Sequence, residues 1–243
     1  MIPESHPRYL SLKTREHLAT CAKEGIVSLE GLTAHGRGEA FDYLLGEKSS
    51  QSALNAEKIA AALLLNATHP VISVNGNTAA LAAKSIGELQ QVCGAIVEVN
   101  LFHRTQERVT LITHLLEKEG VKVISGEVSR YIPLDHDRGL CHHEGIHTAD
   151  VILVPLEDGD RAEALVRMGK TVIAIDLNPL SRTTKTCTLP IIDEVTRAIP
   201  NITRFCSDIN RTEIPDIITS YNRAEFIRDA LEYIRKRLVD VLD

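Results

Sequence analysis

Gly169-Lys170-Thr171-Val172-Ile173-Ala174-Ile175-Asp176-Leu177-Asn178 is the stretch from which the fold can be read. A short apolar run rich in β-branched side chains, 172–175, lies between a Gly-Lys pair and an acidic residue. That length and composition describe a strand buried on both faces. The chain leaves it through Asp176-Leu177-Asn178-Pro179-Leu180-Ser181-Arg182-Thr183, which carries a carboxylate, a carboxamide, two hydroxyls and a guanidinium. A carboxylate closing a buried strand can accept hydrogen bonds from ribose hydroxyls, and an Arg-Thr pair beyond it can hold phosphate. The alternative is a polar crossover in which Asp176 only forms the turn.

Working outward, similar apolar runs fall at 71–74, 95–99, 121–124, 150–154 and 189–192. Helical patterns lie between and after them at 78–93, 104–119, 162–168 and 194–205. Strands alternating with helices imply an α/β fold: a Rossmann-like, mostly parallel sheet with helices on both faces. Residues 1–69 read as an N-terminal helical segment packed on the core, 70–209 as the nucleotide-binding core and 210–243 as a helical tail. Ligands in open α/β sheets bind outside the carboxyl ends of the strands. Those ends here are Asn75-Gly76-Asn77, Asn100, Glu157-Asp158-Gly159-Asp160 and Asp176-Leu177-Asn178, polar or acidic almost throughout. The Gly76-Asn77 step also opens a helix, whose free amides can hold an anion.

Composition excludes several classes. The 243 residues are 44% hydrophobic, enough for a sizeable core, but Trp is absent and aromatics make up only 4%. The core is therefore aliphatic, and stacking platforms for single-stranded nucleic acid are not expected. A net charge of -6 without a long basic run argues against general nucleic-acid binding. The apolar stretch 59–65 is too short to span a bilayer, and nothing resembles a signal peptide. Five cysteines without a Cys-x-x-Cys pair read as reduced thiols of a cytoplasmic protein.

The remaining segments are less explicit. Residues 5–24 and 49–67 have helical patterns. Between them, His35-Gly36-Arg37-Gly38-Glu39 contains a Gly-x-Gly that no strand precedes, so it fails as a dinucleotide fingerprint. It reads as flexible backbone ahead of an apolar helical turn. The stretch Asp135-His136-Asp137-Arg138-Gly139-Leu140-Cys141-His142-His143 offers metal-ligating side chains, yet its spacing matches no zinc pattern. It reads as a mobile surface loop, and no metal site is assigned. In the tail, Asn222 and Glu225 can cap a helix whose apolar face would be Ile227, Ala230, Leu231, Ile234, Leu238 and Val241. That face could pack on its own domain or form a dimer contact.

These stretches together resemble the archaeal phosphopantothenate synthetase (4-phosphopantoate–β-alanine ligase) family. The resemblance lies in Ile2-Pro3-Glu4-Ser5-His6-Pro7-Arg8-Tyr9, in the run from Ala34 through Gly36-Arg37-Gly38 to Lys48, and in Pro70-Val71-Ile72-Ser73-Val74-Asn75-Gly76-Asn77. It continues in Val99-Asn100-Leu101-Phe102, Val154-Pro155-Leu156-Glu157-Asp158-Gly159-Asp160-Arg161 and Ile175-Asp176-Leu177-Asn178-Pro179-Leu180-Ser181-Arg182-Thr183. It covers about residues 1–209, judged by how far such motifs extend; the 135–143 stretch and the tail look particular to this chain. The resemblance implies a Rossmann-like homodimer that joins 4-phosphopantoate to β-alanine at the expense of ATP, with Mg²⁺, on the route to coenzyme A. Its products would be 4-phosphopantothenate, AMP and pyrophosphate. It further implies that ATP touches Arg15, Arg37, Asp176, Leu177, Asn178, Arg182, Thr183, Glu194 and Val195.

Such chemistry needs an activated carboxylate, two positioned polyanions and a group to take a proton from the β-alanine ammonium. His35, Glu157, Asp158 and Asp160 are candidates for the proton acceptor, and their order is open. Asn77, Asn100 and Arg104 could hold the phosphate and hydroxyl of phosphopantoate. An ADP-forming ligase or kinase on the same fold, and a non-catalytic ATP sensor, are the rival readings. A metal hydrolase using the 136–143 stretch is a more distant one.

Overall fold

The computed structural model describes residues 2–6, 8–219 and 221–240. Five parallel strands form the central sheet: β1 (Pro70–Val74), β2 (Ile96–Val99), β5 (Val151–Pro155), β6 (Thr171–Ile175) and β7 (Leu189–Ile191), in the order β2-β1-β5-β6-β7. Their side chains alternate between two cores, as pleated strands require. Ile72, Val74, Leu153, Ile173, Ile175, Leu189 and Ile191 join one aliphatic cluster; Val71, Ile152, Val154, Val172 and Ala174 join the other. The apolar runs are continuous because both faces of the sheet are covered.

The first core is roofed by α3 (Gln51–Asn66), α4 (Gly76–Cys93) and α8 (Val195–Asp208), with α1 (Tyr9–Lys23) and α5 (Gln106–Lys118) at its margin. The second lies under α6 (Gly159–Arg167) and the excursion 125–149, which contains a short antiparallel pair, β3 (Ser129–Arg130) and β4 (Leu140–Cys141). The chain runs outward from β1 to β2 and then returns across β1 to β5, so the sheet changes direction between β1 and β5. That switch point is where an open α/β sheet leaves a crevice.

Four expectations need correction. The segment 121–124 is not a strand. It makes one isolated parallel bridge, Val97 to Val123, before the chain turns away through Gly126 at φ 123°. The first helix begins at Tyr9 rather than at residue 5, after a turn in which His6 N–H donates to the Pro3 carbonyl. The Gly-x-Gly segment is not a loop: it lies inside a continuous helix, α2 (Leu29–Leu45). Ser28 caps that helix through Gly31 N, and Gly46 ends it in the left-handed conformation, so strong ends override weak internal propensity. Gly31 also lets α2 lie directly on Asn77, where a Cβ would collide with the side-chain amide.

The fourth correction concerns 135–143, which is docked rather than mobile. Glu98 of β2, fully buried, accepts His142 N–H at 3.0 Å and Ile146 N–H at 2.8 Å, and Asn100 donates to the Leu140 carbonyl at 2.9 Å. Sequence reading missed this because the partners lie about forty residues away, with no local period to reveal them.

Beyond α8 come α9 (Ile214–Thr219) and α10 (Arg223–Asp240). The tail helix packs against α2, α3 and β7, but by a rotated face. Phe226 and Ala230 are buried and Tyr233 and Ile234 pack partly, whereas Leu231 and Leu238 are exposed. Arg237 fixes this rotation by donating to the Leu44 carbonyl at 3.0 Å. Val241 lies outside the described residues, as do Met1 and Pro7.

Candidate active site

A cleft of about 1060 Å³ opens over the carboxyl ends of β1, β5, β6 and β7, with α2 as its opposite wall. Its floor is built from helix starts. Gly76 and Asn77 open α4, Gly159 opens α6, Arg182 and Thr183 open the short α7 (Arg182–Thr186), and Val195 and Thr196 open α8. Helix N-termini present free N–H groups and partial positive charge, so this convergence favours polyanionic ligands. The floor is tight. A Cβ on Gly159 would fall on the Cβ of Arg182 and lie 3.1 Å from Thr183 N, so only glycine lets α6 and α7 start so close together.

Of the residues expected to touch ATP, Arg37, Asp176, Leu177, Asn178, Arg182, Thr183, Glu194 and Val195 line this cleft together. Burial pushes the Asp176 carboxyl above its ordinary range. One of its oxygens accepts Asn178 N–H at 2.9 Å, which shapes the turn. Thr183 donates to the Glu157 carbonyl at 2.8 Å and ties α7 to the end of β5. Glu194 caps α8 through Thr196 N at 2.6 Å, and burial raises its carboxyl as well. Arg15 does not line the cleft. It sits on α1 and pairs at 2.6 Å with Glu39, which does.

The four proton-acceptor candidates separate clearly. Glu157 is almost fully buried and engaged on every side. Arg161 and Arg138 donate to one of its oxygens and Asp158 N–H to the other. Asp160 lies outside the cleft lining and faces His136 at 2.9 Å. Asp158 lines the cleft with a carboxylate 40% exposed, held from one side by Arg138 Nε at 3.0 Å. Burial raises its carboxyl, against the opposing effect of Arg138. His35 lines the cleft from α2, and burial holds its imidazole below the usual range.

Of the three expected phosphopantoate residues, Asn77 alone lines the cleft. Asn100 is fully buried and spends its amide on the 138–140 backbone. Arg104 donates to the Val99 carbonyl at 3.2 Å and shapes the end of β2. The structure adds Asn75, Leu101, Phe102, Arg108, Arg138 and Arg197 to the lining. Arg108 and Arg197 were invisible in sequence because each sits inside a helical pattern, where an Arg reads as a solvated charge. Both are tied down: Arg108 to the Gly25, Ile26 and His103 carbonyls, Arg197 to Asp42 and Asp193.

Among the described residues, no three His, Cys, Asp or Glu side chains gather to hold a metal ion, and no helix is long and apolar enough to cross a membrane. The five cysteines are unpaired.

A family profile described as phosphopantothenate/pantothenate synthetase matches residues 52–237. Among curated proteins, the 4-phosphopantoate--beta-alanine ligase of Methanospirillum hungatei is 70% identical over 243 residues, all of both chains. The protein of the same name from Methanosarcina mazei is 52% identical, covering 98% of this chain and 95% of its own. The one from Thermococcus kodakarensis is 47% identical, covering 98% and 93%.

Proposed function

Because the chain belongs to the phosphopantothenate/pantothenate synthetase family, we propose that it is a 4-phosphopantoate–β-alanine ligase of coenzyme A biosynthesis, driven by ATP through an acyl-adenylate. The observation that carries this reading is one cleft spanning the sheet's switch point, floored by helix N-termini, with a nucleotide-like edge at Asp176. Such a cleft suits two anionic substrates held end to end.

In this reading, ATP lies on the β6–β7 side. Asp176 and Asn178 take the ribose, while Arg37, Arg182 and the α7 and α8 starts hold the phosphates. Arg15 supports this wall through Glu39. 4-Phosphopantoate lies on the β1–β2 side, with Asn77 and the α4 start near its polar groups and Leu101 and Phe102 beside its geminal methyls. An oxygen of its carboxylate attacks the α-phosphorus, the bond to the β-phosphate bridging oxygen breaks, and pyrophosphate leaves. The β-alanine nitrogen then attacks the acyl carbon and AMP departs with the bonding pair. Asp158 receives the ammonium proton before attack, since Glu157 is consumed by two guanidinium groups, and the second nitrogen proton passes to water as the adduct collapses to the amide. Positioning alone can supply roughly 7–11 kcal/mol of such a barrier.

Among the described residues no cluster of carboxylates or imidazoles forms a cation site, so Mg²⁺ would be carried by the substrate phosphates. It would supply charge neutralisation at the α-phosphate. A homodimer would cover the exposed Leu10 and Leu29, and unpaired cysteines fit a reducing cytoplasm.

The test is incubation with ATP, Mg²⁺, 4-phosphopantoate and β-alanine, followed by identification of the nucleotide product. AMP and pyrophosphate dependent on both substrates are expected. ADP would overturn the acyl-adenylate route, and ATP binding without turnover would make the chain a sensor.

A further inference from the structure

The 135–143 excursion is the one conspicuous motif with no role in this reading, yet it delivers Arg138 into the cleft wall. Its side chain is 6% exposed. Nε donates to Asp158 at 3.0 Å, and Nη1 donates to the Asn100 carbonyl at 3.1 Å and to Glu157 at 3.4 Å. The backbone around it has no slack. A Cβ on Gly139 would stand 2.9 Å from the Leu134 carbonyl oxygen and 3.0 Å from that of Ile132. On the preceding turn, His136 is clamped between Asp160 at 2.9 Å and the ring of Phe102, stacked at 4.7 Å.

Arg138 is poorly placed to bind a substrate phosphate. Arg138 and Arg161 face Glu157 and Asp158, so the four formal charges cancel and no positive charge is left over. Arg37, by contrast, has no ion-pair partner among the described residues. A buried, backbone-anchored guanidinium bonded to a half-exposed carboxylate serves instead to fix that carboxylate.

We propose that Arg138 is a positioning residue for the β-alanine step, holding the Asp158 carboxylate at the switch point from a segment outside the sheet. This rests on the assignment of Asp158 as proton acceptor. The charged groups facing Asp158 are Arg138, Glu157 and Asp160; the first favours the ionised carboxylate and the other two disfavour it.

The experiment compares Arg138→Met, Arg138→Lys, Asp158→Asn and the double variant Arg138→Met/Asp158→Asn. Three readouts are needed: phosphopantoate-dependent exchange of pyrophosphate into ATP, kcat/KM for β-alanine, and its pH profile. Arg138→Met is expected to lower kcat/KM for β-alanine about 30-fold (about 2 kcal/mol) while exchange stays within about twofold. Its acidic limb moves to higher pH, because Asp158 has lost the cation that kept it ionised. Arg138→Lys, with charge but no fork, falls between and decides the matter if the Met variant does not fold. In the double variant, Arg138→Met adds less than about threefold to the loss from Asp158→Asn. Loss of exchange in step with β-alanine turnover, an unmoved acidic limb or fully additive losses would each overturn the proposal. Normal β-alanine kinetics in Asp158→Asn would instead remove the Asp158 assignment itself. An impaired Asp158→Asn beside an unimpaired Arg138→Met would remove Arg138 alone.

Discussion

The side-chain amide of Asn75 donates to the Leu156 carbonyl at 3.0 Å, joining the two strands between which the sheet changes direction. The same amide reaches the Pro155 carbonyl at 3.1 Å, while its oxygen caps α4 through Thr78 N at 3.0 Å. Leu156 is held at φ 54°, a left-handed conformation that costs energy outside glycine. Asn75 therefore closes the crevice, starts the helix and steadies a strained residue at once.

Asn75→Ala is expected to destabilise the fold by about 1–3 kcal/mol, from the lost cap and the Leu156 carbonyl left without its donor, while the Pro155 carbonyl keeps the Thr78 hydroxyl. Asn75→Asp keeps the cap but sets a carboxylate against those carbonyls, and should be at least as damaging. Denaturant unfolding of both variants measures this.

Arg37 is exposed on α2, lines the cleft and bonds to no other described side chain. Arg37→Ala should leave unfolding stability within about 0.5 kcal/mol of the parent protein. It should lower kcat/KM for ATP at least about tenfold, or 1.4 kcal/mol. Paired melting and steady-state measurements separate the two effects, and near-normal ATP kinetics would end the phosphate role assigned to Arg37.

Gly159→Ala forces apart the starts of α6 and α7, because the new methyl meets Arg182 and the Thr183 backbone. A stability loss of roughly 1–3 kcal/mol is expected from this overpacking. Weaker ATP binding should accompany it, since the displaced α7 start would hold phosphate. Calorimetric titration with ATP alone, without the acid, reads the second effect.

Glu57 of α3 is fully buried beside Asp193. Burial first, and the Asp193 charge second, raise its carboxyl from 4.5 to about 9. Between those values the unfolded chain has released a proton that the folded chain retains. The stabilising contribution is thus complete below about 4.5 and disappears as pH rises toward about 9. Glu57→Gln should therefore gain stability over the parent protein at pH 8 and lose that advantage near pH 4.5. Thermal melts across that range decide it.

The sheet, its strand ends and most of the cleft edge around Asp176 were legible because each is written locally. An apolar run followed by Asp176-Leu177-Asn178 declares a strand and its exit within ten residues. What escaped depended on distant partners. Val121 and Val123 have strand-like neighbours, but the chain turns away after a single bridge. Arg138 looks like a loop charge until Asn100 and Asp158 are seen around it. Arg15 gained a role only from the family resemblance, and the structure places it one ion pair behind the cleft. The two glycines around Arg37 read as a loop because their low helix propensity is local, whereas the caps at Ser28 and Gly46 that override it lie at the far ends of the helix.

That helix has a final consequence. Three glycines in α2, at 31, 36 and 38, each cost about 1 kcal/mol of helix stability relative to alanine, and Leu45 is its only buried residue. It is secured at its far end, by Asp42 on Arg197 and by the tail helix through Arg237. Its middle, where His35 and Arg37 sit, adds only the ion pair of Glu39 with Arg15 among the described residues. The cleft wall is thus a plank nailed at the ends, and a nucleotide bridging Arg37 to Asp176 would brace its span. Slowed amide-hydrogen exchange across 33–40 would then be part of what binding ATP means here, and part of the binding free energy would be spent on ordering that wall.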